Sequence, residues 1–366
     1  MCDFSEYGAP SAEWFQIEAT LAPAASGPEG SLADLKRTTN LGPGKISQAE
    51  MVELKEKVVM QDFSIPTRDG QQLEARTYRS SSSTATESED ERPLFPIYMH
   101  FHGGGFLFGT LQSEDAICAR IALAAGVVVL NVNYRHTPEH TYPTAWNDAE
   151  DALVWLCKGT SPGHVIGGDV QRLVVGGVSA GAYITAALVQ TVLRVRHELA
   201  LPEMLSIRGK VLMIPCLVSS ACYASQLEQI KDPSLSSYTQ AANAPILSMA
   251  RKTLFNSLLQ VEKPDPEDKR LNPGLVSAEV ARRLPPTTLG VAGNDPLRDE
   301  GLLYGKLLSE NGVPTNINVF KGLSHGFRRF GKRLSASEHW DNLVNEGIRR
   351  ALGSPRVSGQ FEVRVL

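Results

Sequence analysis

The sequence has neither an excess of one charge nor a long apolar run. It carries 36 basic and 40 acidic residues, a net charge of -4, so no strong field draws it to nucleic acid or to an anionic membrane. Its most apolar stretches, such as 121–130, are far shorter than the roughly 20 residues that a membrane-spanning helix needs. The first 25 residues hold four acidic side chains and no basic patch before an apolar run, so we expect no secretory signal. These absences predict a soluble protein without a nucleic-acid partner or a membrane span.

Cysteine is scarce, and its spacing is irregular. The five thiols are Cys2, Cys118, Cys157, Cys216 and Cys222. Their number is odd and they lack the paired spacing of a zinc site or a redox motif, so we interpret them as reduced thiols of a cytoplasmic protein. Six histidines also lack ligand spacing with carboxylates or thiols, and we expect no metal and no cofactor. They are His100, His136, His140, His164, His197 and His339.

Short β-rich runs alternate with helical patterns from position 61 onward. This alternation predicts an α/β fold with a mostly parallel central sheet flanked by helices. The predicted strands are 58–65, 73–78, 95–101, 127–134, 172–176, 209–214, 287–291 and 316–320. A turn signal at Arg68-Asp69-Gly70 predicts that the first two form an antiparallel hairpin at the sheet edge. Helices are predicted over 182–196, 297–311 and 339–352.

Three segments do not follow this alternation. Residues 1–57 are rich in Ala, Gly, Pro and Ser with short helical patches, and residues 217–270 form a polar insert between two predicted strands. Both could build a cap, which leaves 58–366 as the catalytic domain. The Ser-rich acidic run 80–92 cannot bury enough apolar surface to order itself and is predicted to be a solvated loop.

The sharpest local signal for chemistry is Gly177-Val178-Ser179-Ala180-Gly181, which follows an apolar strand and opens a helix. A strained strand-to-helix turn lifts a serine hydroxyl above the sheet, and residues two positions away on either side must be small. The helix N-terminus supplies a free amide, from Ala180, where negative charge develops in acyl transfer. Ser179 is therefore the predicted nucleophile.

A glycine tract, His102-Gly103-Gly104-Gly105-Phe106, directly follows the strand that ends at Phe101. Consecutive glycines let the backbone turn amides into a cavity, which predicts the other half of an oxyanion hole. We interpret His102 as a structural residue that holds this loop by a hydrogen bond.

A serine nucleophile needs a base, and the base needs an acid that fixes its tautomer. Asp295 follows one late strand, and His325 follows the next between flanking glycines. The chain order Ser, Asp, His is that of α/β-hydrolases. Asp299, one helical turn after Asp295, is the rival acid; we favour Asp295 because it lies at the strand end.

These motifs together resemble the hormone-sensitive-lipase-like branch of the α/β-hydrolases, whose hallmark is an H-G-G-G loop upstream of G-D-S-A-G. The segment from Tyr134 to Ala145 is similar to the family's Y-R-L-A-P-E-H-x-F-P-A-A, with Asp148 where the family has its next acid. The Asp295 and His325 segments are also close to the family's, so the resemblance runs from about 95 to 330.

The resemblance implies an α/β-hydrolase fold with a helical cap and a serine esterase mechanism. Ser179 would attack an ester carbonyl, and His325 would accept its proton and later protonate the leaving alcohol. Asp295 would stabilise the imidazolium, and amides of Gly103, Gly104 or Gly105 with Ala180 would hold the oxyanion. Scaffold roles on the oxyanion side fall to Tyr134, Arg135, Glu139 and Pro143. One departure is Val178, which stands where the family usually has an acid.

Three function classes follow. The first is hydrolysis of carboxylic esters with short or medium acyl chains, including deacetylation or lactone opening of a specialised metabolite. The second is acyl transfer, dehydration or cyclisation at the same site. The third is a small-molecule receptor without catalysis. The partner in each is a small molecule, and a homodimer is left open.

Overall fold

A computed structural model of the protein describes residues 1–21, 31–84, 94–158 and 164–366. Most of the predicted solvated loop at 80–92 falls outside these residues. Its first residues are ordered differently from that prediction, because Ser80 ends a strand and Ser81–Thr84 form a 3-10 helix.

Nine strands of the described residues form one sheet. They are β1 (Val58–Pro66), β2 (Gln72–Ser80), β3 (Phe95–Phe101), β4 (Val128–Val132), β5 (Gly168–Val178), β6 (Ile207–Met213), β7 (Thr287–Asn294), β8 (Thr315–Ser324) and β9 (Val363–Val365). Their order is β1-β2-β4-β3-β5-β6-β7-β8-β9. Pairing is antiparallel for β1 with β2 and for β2 with β4, and parallel throughout the rest. The predicted mostly parallel sheet with a hairpin at its edge is confirmed.

Helices flank this sheet and connect its strands. The α-helices are α1 (Ala12–Glu18), α2 (Leu32–Met51), α3 (Leu111–Ala125), α4 (Thr144–Leu156), α5 (Ala180–Val195), α6 (Ala224–Leu227), α7 (Ser237–Gln240), α8 (Met249–Leu258), α9 (Ala278–Ala281), α10 (Arg298–Glu310) and α11 (Ala336–Leu352). Other 3-10 helices are Ser5–Tyr7, His164–Ile166, Ser220–Cys222, Pro233–Leu235, Pro273–Leu275 and Phe327–Arg333. The predicted helices correspond to α5, α10 and α11, with ends that differ by at most three residues. No helix in the described ranges combines the length and apolar character needed to span a membrane.

The hydrophobic core lies on both faces of the sheet. In β3, Ile97, Met99 and Phe101 point to the face covered by α4, α5 and α10. Tyr98, between them, points to the opposite face with the buried residues of α3 and α11. Successive side chains of a strand point to opposite faces, so a strand covered on both sides is apolar throughout rather than alternating.

Residues 1–57 are more regular than the predicted short helical patches. Helix α2 continues for 20 residues through Gly42-Pro43-Gly44, although proline and glycine disfavour a helix interior. Its last turns are bonded to α3, where the Ala116 amide donates to Ser47 Oγ at 3.0 Å. Arg120 of α3 also pairs with Glu50 at 2.7 Å. Tertiary contacts outweigh the local preference here.

One buried carboxylate of α10 binds two separate parts of the insert at 217–270. Glu300 accepts hydrogen bonds from the amides of Leu217 at 2.7 Å and Val218 at 3.0 Å. Its other oxygen pairs with Lys252 of α8 at 2.8 Å. Both charged side chains are nearly inaccessible to water, at 4% for Lys252 and 0% for Glu300. The insert is therefore fixed to α10 by a desolvated ion pair.

Candidate active site

Ser179 occupies the turn between β5 and α5 in a strained backbone conformation, with φ 55° and ψ -113°. Its amide donates to the Met213 carbonyl at the end of β6 at 2.9 Å. The neighbouring glycines are needed for space. A methyl group on Gly177 would lie 2.5 Å from Gly181 O, and one on Gly181 would lie 2.5 Å from His102 O. The turn thus holds the serine half-buried at the carboxyl end of the sheet.

Asp295 and His325 follow two strands that pair with each other. In the β7–β8 register Asn294 stands opposite Ser324, so the next residue on each strand projects beyond the same edge. His325 Nδ1 lies 2.7 Å from Asp295 Oδ2, and His325 Nε2 lies 2.9 Å from Ser179 Oγ. The three predicted side chains are brought together in one continuous hydrogen-bonded chain.

The rival acid, Asp299, is placed elsewhere. Its Oδ2 accepts from the Ser237 amide at 2.7 Å, and its Oδ1 accepts from Arg298 Nε at 2.8 Å. Asp299 therefore bonds to the insert and to its own helix rather than to His325. Within the described ranges no cluster of three or more His, Cys, Asp or Glu side chains is arranged to hold a metal ion.

The glycine loop brings its backbone against the serine. Gly104 and Gly105 have positive φ, 123° and 62°, in the region that favours glycine. A methyl group on Gly103 would lie 3.6 Å from Ser179 Cβ. In the described part of the chain no hydrogen bond engages the amides of Gly103, Gly104, Gly105 or Ala180. Amides left unpaired beside a serine can receive an oxyanion.

Buried side chains support this loop from behind. His102 is fully buried, and that burial lowers its pKa, so the ring is neutral and Nδ1 donates to Gly103 O at 2.8 Å. Its ring stacks on Tyr134 at 4.4 Å, and the Tyr134 hydroxyl donates to His102 O at 2.8 Å. Arg135, next in the chain, pairs with buried Asp148 at 2.6 Å. These contacts fit the scaffold roles expected for His102, Tyr134 and Arg135.

Other scaffold candidates have different surroundings. Glu139 pairs with Lys36 of α2 at 2.9 Å and is 59% exposed. It therefore connects α2 to the segment from Tyr134 to Ala145 instead of supporting the glycine loop. Pro143 directly precedes α4. Val178 packs beside the glycine loop, with Cγ1 3.5 Å from where a methyl group on Gly103 would stand. An apolar contact therefore occupies the place of the family's acid.

Residues of the insert also border the site, and the sequence motifs do not reveal them. The Phe255 ring of α8 lies against Gly105, with Cε2 2.5 Å from where a methyl group would stand. Ile246 lies beside Gly326, which follows His325: its Cγ2 is 3.5 Å from where a methyl group on Gly326 would stand. No spacing in 217–270 marks either residue, because their positions depend on how the insert folds back.

Comparison with known proteins agrees with this fold. A family model described as alpha/beta hydrolase fold matches residues 98–329. Esterase LipI of Mycobacterium tuberculosis is 36% identical over 70% of this chain and 73% of its own. Ethyl acetate hydrolase of Pseudomonas putida is 31% identical over 80% of this chain and 82% of its own. The crystal structure of vibralactone cyclase, 23% identical, superposes with a TM-score of 0.80 over 95% of this chain and 96% of that one, and shows a shared fold.

The chain belongs to the α/β-hydrolase family, in its hormone-sensitive-lipase-like branch.

Proposed function

We propose that this protein hydrolyses carboxylic esters through an acyl-enzyme formed on Ser179, with His325 as the base and Asp295 as the orienting acid. The observation that carries the proposal is the chain of contacts from Ser179 Oγ to His325 at 2.9 Å and from His325 to Asp295 at 2.7 Å. At one end of this chain of contacts is the Asp295 carboxylate, which is 1% exposed, and at the other is Ser179, beside amides that are unpaired among the described residues.

The order of proton transfers follows from these contacts. Nδ1–H donates to Asp295, so Nε2 carries the lone pair that accepts the Ser179 proton as Oγ attacks the carbonyl carbon. The carbonyl oxygen becomes negative and is bound by the amides of Ala180 and of Gly103, Gly104 or Gly105. The imidazolium then protonates the departing alcohol. Water, deprotonated by the same nitrogen, attacks the acyl-enzyme and releases the acid.

The named activities of the relatives support a small ester as the substrate. One is an esterase and another is named for ethyl acetate, which has a two-carbon acyl group. We therefore propose short to medium acyl chains and a small-molecule partner. Five free cysteines support action in the cytoplasm, where thiols stay reduced.

A cap made of residues 1–57 and 217–270 is also proposed. The N-terminal backbone runs beside the last residues of β7 and β8, the strands that lead to the acid and the base: a methyl group on Gly293 would collide with Tyr7 O, and one on Gly322 with Ala9 O. From the insert, Phe255 of α8 covers Gly105. Both segments thus border the loops around Ser179, where they would limit the length of the acyl group.

The test uses purified protein with p-nitrophenyl acetate and butyrate, together with a fluorophosphonate probe. Ser179→Ala should lower kcat by a factor on the order of 10^4 or more and abolish labelling, because no nucleophile remains. Ser309→Ala is the matched control, since the hydroxyl of this buried serine of α10 has Lys306 O, within its own helix, as its one partner among the described residues. It should keep both activity and labelling. Absence of turnover on every short ester by the unaltered protein would contradict hydrolysis, and ligand binding unaffected by Ser179→Ala without labelling would indicate a receptor.

A further inference from the structure

Two arginines lie close to the candidate active site. Arg251 and Phe255 are four residues apart on α8 and therefore share one face of that helix. The Phe255 ring lies against Gly105 of the glycine loop. The α8 face that carries Arg251 is therefore the one directed toward the loop beside Ser179.

Arg329 lies in the 3-10 helix Phe327–Arg333, shortly after His325. Its Nε donates to Gly326 O at 3.2 Å, and its Nη2 lies 3.1 Å from where a methyl group on Gly326 would stand. Ile246 links the two arginines: its Cγ2 lies 3.5 Å from that same point, and its carbonyl accepts from Arg251 Nη1 at 2.6 Å. The Arg329 guanidinium is thus held at the residue next to the catalytic-base candidate, and the Arg251 guanidinium is held at a residue that contacts it.

Among the described residues neither guanidinium has an acidic partner. No carboxylate there forms an ion pair with Arg251 or Arg329, whose only side-chain hydrogen bonds among these residues are to the carbonyls of Ile246 and Gly326. The pKa of Arg329 is lowered, first by loss of surrounding water and then by the positive charge of Arg251. Arg329 nevertheless remains exposed to solvent. A guanidinium that reaches solvent and forms no ion pair among the described residues can bind an anion from solution.

We propose that the substrate is an ester that carries a carboxylate, which Arg251 and Arg329 bind while Ser179 attacks the ester group. The inference rests on the proposed ester hydrolysis. Two neighbouring cations without a counterion repel each other, and an anion placed between them relieves that repulsion. Guanidinium groups bind carboxylates through paired, charge-assisted hydrogen bonds, and these bonds strengthen where water is partly excluded.

The experiment compares charged and neutral esters of equal length. The charged acyl substrates are the mono-p-nitrophenyl esters of succinic, glutaric and adipic acids, and the neutral ones are their methyl esters. Acetates of short ω-hydroxy acids and their methyl esters place the charge on the alcohol side. The readout is the ratio of kcat/KM for charged over neutral substrate, with each rate first corrected for spontaneous hydrolysis. A merely structural role of the arginines would change both rates together and leave this ratio constant.

In the unaltered protein the ratio should exceed one for at least one chain length and fall as salt is added. Arg329→Gln and Arg251→Gln should each lower it by about tenfold or more, the value of one hydrogen bond to a charged group. Arg282→Gln is the matched control, because Arg282 is exposed and follows α9 just before the start of β7. It therefore lies near the amino end of this strand, whereas the candidate active site lies at the carboxyl ends of the strands. This variant should leave the ratio and both rates unchanged.

A ratio at or below one for every ester, on either side of the ester bond, overturns the inference. So does a ratio that stays constant in both arginine variants. Either result leaves ester hydrolysis itself standing, as long as the neutral esters are turned over in a manner that requires Ser179. Loss of all Ser179-dependent turnover contradicts the proposed function instead.

Discussion

Replacing Asp295 with Asn tests the hydrogen-bonded chain with almost no change of shape. Asp295 Oδ1 accepts from the Leu297 amide at 2.9 Å, and Oδ2 meets His325 Nδ1 at 2.7 Å. An asparagine must turn its oxygen to Leu297, because its NH2 group cannot accept that amide. The NH2 group then donates to Nδ1, which forces the ring proton onto Nε2, opposite Ser179. A ring in this tautomer cannot accept the serine proton.

The loss should be large and confined to the chemical step. Wrong-tautomer substitutions of this kind lower kcat by about 10^3 to 10^4, or roughly 4–5.5 kcal/mol at 1.36 kcal/mol per tenfold. KM should change little, because Asp295 is only 1% exposed and cannot touch the substrate. The assay is steady-state hydrolysis of p-nitrophenyl butyrate, with thermal unfolding recorded to confirm that the variant is folded.

Asp299→Asn is the matched control for the same substitution one helical turn away. Its oxygens bond to Ser237 and Arg298, so we expect a lower Tm but a kcat within about tenfold of the unaltered enzyme. The reasoning is refuted if Asp295→Asn keeps more than about a tenth of the original kcat. A folded Asp299→Asn variant with the larger loss of kcat would make Asp299 the orienting acid.

Three further predictions concern packing and buried charge. Gly181→Ala should lower both Tm and kcat, because the added methyl would lie 2.5 Å from His102 O, whereas Gly42→Ala, with open space around it in α2, should raise Tm slightly. Burial lowers the pKa of Lys210 to about 7 from an ordinary value of 10.5. Between these values the unfolded chain binds more protons than the folded one, so stability rises with pH, and Lys210→Met should raise Tm most at pH 7 and progressively less toward pH 10. A difference in Tm between Lys210→Met and the unaltered protein that is the same at every pH would contradict this prediction. Lys252→Met leaves Glu300 buried without its cation and should cost about 3–5 kcal/mol in urea unfolding, and a loss below about 1 kcal/mol would show that the pair is not desolvated.

Most of the sheet could be predicted because its strands are buried runs with turn residues between them. The structure extends β5 by four residues at its start and two at its end, and β8 by one at its start and four at its end. The sequence does not predict the three-residue edge strand Val363–Val365, since so short a segment has no readable period and its pairing comes from β8. The sequence predicts only short helical patches where α2 lies, because Gly42-Pro43-Gly44 disfavours a helix locally, whereas contacts with α3 stabilise one.

The candidate site divides in the same way. Ser179, Asp295 and His325 each follow a predicted strand, and parallel strands bring such residues to one edge, so their meeting could be anticipated. The surroundings of the site could not. Arg251 lies in an insert without motifs, and Arg329 carries no signal beyond its place four residues after His325. The positions of both side chains depend on tertiary packing, which no sequence period or spacing encodes.

Helix α8 uses neighbouring faces for different purposes. Lys252 holds it to Glu300 in the interior, while Phe255 lies against the glycine loop and Arg251 lies one turn before Phe255. Positions 251 and 255 can therefore change without loss of the internal anchor. New substrate preferences could arise there by single substitutions at little cost to folding, whereas the lysine between them is constrained by the fold.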